Sequence, residues 1–235
     1  KFSKMKKSIF SILLAAVSFI SIHAQSLSQV HINRTGSNIL LSFKTDDNAL
    51  INVTKDGQLA GFGMENLDRM ITTFPIKLDP YMGRVENYTD IDDASVKGKV
   101  KYIGKTLVTY YNSYEKEELR GKVKSIGTAN FTYYENFEDK VFAGNMKSAG
   151  NNSFAYYSSF DNEDLRGKFK RIGNINITYY SSFEDKSFRG KLKSIDNNSF
   201  TYYSSYEIKE YRGMNKTGFQ TKNISGIKFT VYQQS

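Results

Sequence analysis

The chain has 235 residues with 33 Lys/Arg against 24 Asp/Glu, 17 Tyr, 17 Phe, two Pro, and neither Cys nor Trp. That length suffices to bury a core in one large or two small domains, and the lack of Cys excludes a disulfide framework and any thiolate metal site. Two histidines, His23 and His31, are too few for a zinc centre built on several imidazoles, and the wealth of flat side chains favours strands.

Lys4, Lys6 and Lys7 precede an apolar run from Ile9 to Ile22 and the small residue Ala24. This is the pattern of an export signal, residues 1–24, cleaved before Gln25; the run is too short to span a bilayer comfortably. An uncleaved membrane anchor is the alternative. Loss of the segment removes Lys1, Lys4, Lys6 and Lys7 and takes the formal charge from +9 to +5. The expected location is secreted or extracytoplasmic, with no transmembrane segment after cleavage.

Residues 25–95 read as a β-rich N-terminal region, with strand-like ILLSFKT and LINVTKDGQLAGFG around a polar turn. Pro75, Pro80 and the acidic Asp90, Asp92 and Asp93 place a boundary near residue 95. His31, in this region, is expected as a strand or surface residue and not as a catalyst.

Residues 96–213 hold five tandem units of 23 residues. Glycine recurs at 98, 121, 144, 167, 190 and 213, and the units open GKVKYIG, GKVKSIG, GNMKSAG, GKFKRIG and GKLKSID. Counted from each glycine as zero, Lys holds offset three (Lys101, Lys124, Lys147, Lys170, Lys193) and paired Tyr holds offsets twelve and thirteen. An aromatic holds offset sixteen (Tyr114, Phe137, Phe160, Phe183, Tyr206) and an acid follows it; a large apolar residue closes each unit at offset twenty-one.

Spacings of two and Gly/Asn or acidic connectors give two short strands and two turns per unit. Strict alternation puts Phe131, Tyr133 and Phe137 on one side of the second strand, and sets Val123 opposite Lys124 and Ile126 in the first. The expected fold is all-β: an elongated antiparallel meander of hairpin repeats, closed by a capping segment over 214–235. A β-solenoid is the alternative, but it would stack five Lys one strand spacing apart, about 4.8 Å, where they repel. Strands this short and Lys-bearing do not suit the lipid face of a membrane barrel. Units that contact mainly their neighbours should tolerate deletion of one whole unit, 144–166.

No phosphate loop, dinucleotide fingerprint, HExxH or GxSxG occurs. The expectation is a non-enzymatic β-repeat protein that presents an extended surface for binding or serves as a spacer, with no cofactor and no metal. A polysaccharide-acting enzyme using turn carboxylates such as Glu138 and Asp139 is the rival reading. The candidate ligand-binding residues are Lys101, Lys124, Lys147, Lys170 and Lys193 with Tyr111, Tyr134, Tyr157, Tyr180 and Tyr203, a flat ring and a mobile cation in every unit. Sharing a face depends on hairpin register. The expected partner is an acidic glycan or surface polymer, or another envelope protein, and not nucleic acid.

Overall fold

A computed structural model describes residues 25–66 and 77–232. The export signal expected over 1–24 and the boundary residue Pro75 lie outside the described residues.

The N-terminal region forms β1 (Leu27–Asn33), β2 (Ile39–Lys44), β3 (Leu50–Thr54) and β4 (Leu59–Gly63) as an antiparallel meander. The repeats then form β5 (Val85–Asn87), β6 (Val100–Ile103), β7 (Thr106–Tyr110), β8 (Val123–Ile126), β9 (Ala129–Tyr133), β10 (Met146–Ala149) and β11 (Asn152–Tyr156). They continue through β12 (Phe169–Ile172), β13 (Ile175–Tyr179), β14 (Leu192–Ile195) and β15 (Asn198–Ser199). Strands β5 to β15 make one eleven-stranded sheet in sequence order, the antiparallel meander of hairpins; β16 (Thr201–Tyr202) and β17 (Asn215–Thr217) continue it as a separate pair. This sheet begins at β5, ten residues upstream of the boundary read near 95.

The last strands, β18 (Thr221–Ile224) and β19 (Ile227–Tyr232), do more than cap the array. Strand β19 pairs in parallel with β1, so the first and last described strands join one six-stranded sheet in the order β18-β19-β1-β2-β3-β4. Its apolar face, with Val30, Ile32, Leu41, Phe43, Ile51 and Phe229 buried, packs on the inner face of the array in a single core. Phe43 meets Phe131 edge to face at 4.8 Å between ring centroids.

Turns of the small sheet also dock on the array by main-chain hydrogen bonds. Val123 N–H donates to the Gly57 carbonyl (2.9 Å), Met146 N–H to Lys55 (2.7 Å) and Leu192 N–H to Arg34 (2.7 Å), always from offset two. Gly57 fits here only as glycine: its φ is +86°, and a Cβ would run into the Tyr133 ring. The units therefore contact a second sheet as well as each other, so the expectation that a whole unit is dispensable does not follow from this fold.

Within each unit the two strands are joined by a two-residue turn. Gly104, Gly127, Gly150 and Gly173 occupy its first position at φ between 54° and 59°, and Asp196 takes it at 50°. At the other edge of the sheet a twelve-residue loop leads to the next unit. The glycine that marks the period ends this loop: at positive φ, its N–H returns to the carbonyl of the offset-thirteen tyrosine, as Gly144 does to Tyr134 at 2.8 Å.

Where successive units pair, the register slips by one residue at the same place each time. Tyr133 opposes Met146 and Thr132 opposes Ser148, so Lys147 is the extra residue of a β-bulge; Lys101, Lys124, Lys170, Lys193 and Lys216 are its equivalents. The bulge corrects the alternation read from sequence, because it turns Val123 and Ile126 to the same buried side. Phe137 departs for another reason: β9 ends at Tyr133, and Phe137 lies in the loop, 83% exposed.

Candidate functional site

The bulge turns each offset-three lysine out of the ladder and over the preceding unit. Lys124 lies over the Tyr111 ring (5.4 Å to its centroid), Lys147 over Tyr134 (5.1 Å), Lys170 over Tyr157 (5.2 Å) and Lys193 over Tyr180 (5.2 Å). The ten residues singled out in the sequence thus form a ladder, one unit out of step: Lys101 covers Tyr88 and Tyr203 is covered by Lys216. The last two partners were not recognised from the sequence, since Tyr88 precedes the first complete unit and Lys216 follows the fifth.

These cations are neutralised where they stand. Lys124 pairs with Glu115 (2.5 Å), Lys147 with Glu138 (2.7 Å), Lys193 with Glu184 (2.7 Å) and Lys216 with Glu207 (2.5 Å); Lys101 and Lys170 meet Asp92 and Asp161 at 3.5 and 3.8 Å. Four of the five tyrosines are committed too, because each of these half-buried phenols donates to a carbonyl twenty residues on. Tyr111 reaches Phe131 (2.8 Å), Tyr134 reaches Phe154 (2.8 Å), Tyr157 reaches Ile177 (3.1 Å) and Tyr180 reaches Phe200 (2.9 Å).

Further hydrogen bonds tie each loop to the next. Asp139 accepts from Ser159 N–H and its hydroxyl (2.9 and 3.0 Å), and Asp185 accepts from Ser205 in the same way (2.9 and 2.8 Å). Arg120, Arg166 and Arg212 fold back to the carbonyls of Glu115, Asp161 and Glu207, the residues that follow the offset-sixteen aromatics. The Lys147 ammonium and the Glu135 N–H hold Glu138 below the usual carboxylate range, and hydrogen bonds from Ser113 and then Ser95 lower Asp93 to about 2.

At the apex of each secured loop stands an aromatic side chain that takes no part in this network. Tyr114, Phe137, Phe160, Phe183 and Tyr206 are 92, 83, 97, 92 and 93% exposed. Ile91, at the equivalent place before the first unit, is 97% exposed. The column was legible in the sequence as aromatic but was taken for sheet packing; the signal that separates it is its place beyond the paired tyrosines, outside either strand. Successive rings stand on loops two strands apart, about 10 Å. The loop segments 112–120, 135–143, 158–166, 181–189 and 204–212 carry thirteen Asp/Glu against eight Lys/Arg.

Among the described residues no group of three or more His, Cys, Asp or Glu is placed to hold a metal ion, and no helix is long and apolar enough to cross a membrane. His31 lies buried in β1 with Nδ1 3.2 Å from the Tyr232 hydroxyl. No protein-family model, curated protein or solved structure matches the chain.

Proposed function

We propose that this is a non-enzymatic binding protein of the cell exterior or envelope, whose hairpin array holds a row of aromatic rings out as one extended contact surface. The observation that carries the reading is the persistence of an aromatic at offset sixteen in all five units although its side chain is 83–97% exposed. Folding gains little from a ring in water, and the nearby offset-eighteen column has drifted through Lys116, Asp139, Asn162, Asp185 and Ile208. A bare spacer needs no aromatic there.

The Lys and Tyr ladder serves in this reading as the foundation that fixes each loop, so that the rings meet a partner already ordered. The offset-three lysines at this edge are already paired with loop acids, which leaves a polyanion little charge to neutralise, and rings separated by polar residues do not make the continuous apolar core of a protein interface. An extended, weakly charged polymer such as a neutral glycan suits both features. The carboxylate-enzyme reading draws less support, because Glu138 and Asp139 are engaged by Lys147 and Ser159.

Affinity electrophoresis through a panel of neutral and acidic polysaccharides tests the proposal. Wild-type chain is expected to be retarded by a neutral polymer, and a Phe137→Ala, Phe160→Ala, Phe183→Ala variant to migrate freely. Equal retardation of both would overturn it.

A further inference from the structure

A second set of lysines stands half-buried at offset one, and one of the three lacks the acid that accompanies the others. Lys122, Lys168 and Lys191 each donate to the next unit's glycine carbonyl, Gly144, Gly190 and Gly213, at 2.6 Å. Four residues earlier, Glu118 precedes Lys122 and Asp164 precedes Lys168, and each acts electrostatically on its ammonium. Before Lys191 that position is Ser187.

Lys191 receives a second cation in place of the missing acid. Arg34, in the turn between β1 and β2, is brought alongside by its main chain, whose carbonyl accepts from Leu192 N–H at 2.7 Å. Arg34, Lys191 and Arg212 line a cavity of about 280 Å³ together with Thr35, Met214 and Asn215, and no carboxylate lies among its lining residues. Among the described residues none of the three cations forms an ion pair. Arg34 gives Nη1 to Asn215 Oδ1 (2.6 Å), and Arg212 gives Nε to the Glu207 carbonyl (3.0 Å), so both guanidinium groups are oriented by neutral acceptors and keep donors to spare. Burial, and then Arg34, lower the affinity of the Lys191 amine for its proton.

Uncompensated cations gathered in a cleft are costly until an anion joins them, and a fixed guanidinium fork matches the oxygens of a carboxylate or oxyanion. We infer that this cavity is a binding site for a small ligand bearing one anionic group, a carboxylate or a sulfate or phosphate ester, held by Arg34, Lys191 and Arg212. Its volume approaches the lower end of small-molecule pockets, roughly 300 Å³, which leaves room for a body of about one sugar ring behind the anion. The site stands independently of the aromatic row.

Titration of the full chain at low salt with glucuronate, glucose, and inorganic sulfate or phosphate, followed by backbone amide shifts, tests the inference. Saturable shifts at Arg34, Lys191 and Gly213 are expected with an anionic probe and none with glucose. A response to glucuronate alone assigns the carboxylate, and a response to the inorganic ions assigns the oxyanion. Ser187→Asp supplies the counter-charge that Asp164 gives Lys168 and should weaken binding at least about tenfold, at some cost in Tm because the Ser187 hydroxyl that donates to Asp185 is lost. Arg34→Gln keeps the main-chain anchor and should weaken binding comparably, so a misfolded Ser187 variant leaves the test intact. Absence of shifts with every anionic probe, or wild-type affinity in the folded variants, would overturn the inference.

Discussion

Lys147 follows Glu138 by nine residues, yet its ammonium meets that carboxylate at 2.7 Å because the bulge at Lys147 lifts the side chain out of the ladder. The pair is partly exposed, so Lys147→Gln or Glu138→Gln should each cost no more than about 1 kcal/mol. Deleting Lys147 removes the extra residue, so Met146 and Ala149 stay on the buried side in plain alternation while the bend and twist of the bulge are lost, which should cost more than either substitution. Urea unfolding of the three variants separates the effects. Equal costs would mean that the bulge is incidental.

Tyr134 and Phe137 stand three residues apart and should respond in opposite ways. Tyr134 packs on Phe142 at 4.7 Å and donates to the Phe154 carbonyl, whereas Phe137 projects from its loop. Tyr134→Phe is expected to lose about 1 kcal/mol and Tyr134→Ala about 2 kcal/mol or more. Phe137→Ala should stay within about 0.5 kcal/mol. A Phe137 variant as unstable as Tyr134→Ala would show the exposed column to be structural.

Acid should weaken the fold in two windows. Burial pushes His31 down to about 4 from 6.5, with Glu65 opposing and Lys228 adding. The unfolded chain therefore takes a proton that the folded chain refuses, and stability should fall by roughly 3 kcal/mol as pH drops from 6.5 to 4, with no change above that range. Asp93 acts lower: the stability it contributes is complete above pH 3.8 and is lost towards about 2. His31→Gln should remove the upper slope and keep the lower one, as read by chemical unfolding at stepped pH. A wild-type curve flat between 6.5 and 4 would contradict a buried neutral imidazole.

Deleting residues 144–166 rejoins equivalent positions but moves the Leu192 dock one unit closer to Val123 and removes the Met146 dock altogether. Arg34 and Gly57 can then no longer both reach their partners. The deletion should broaden or lower the thermal transition, and an unchanged Tm would mean that the small sheet does not brace the array.

The hairpin array was legible in the sequence because glycine, lysine and tyrosine return at one spacing without insertion. The bulges were not, since a single extra residue leaves the 23-residue period intact and reveals itself only when Val123 and Ile126 are found on the same side. Nor was the parallel pairing of β1 with β19, which joins residues some 200 apart and carries no local signal. The ladder of Lys over Tyr was named from its columns, while its neutral character depends on acids of the preceding loop. The exposed row was visible only as aromatic, because Tyr133 in a strand and Phe137 in a loop look alike until the strand's end is known.

We propose that the offset-sixteen rings act together on one extended partner. Calorimetric titration with the neutral oligosaccharide that binds wild type best, against variants in which Phe160, then Phe137, then Phe183 are replaced cumulatively by Ala, tests it most directly. Affinity should fall stepwise with each ring removed, as linked weak contacts require, while Tm stays constant. Wild-type affinity in the triple variant, or no neutral oligosaccharide bound by the wild-type chain, would contradict the claim.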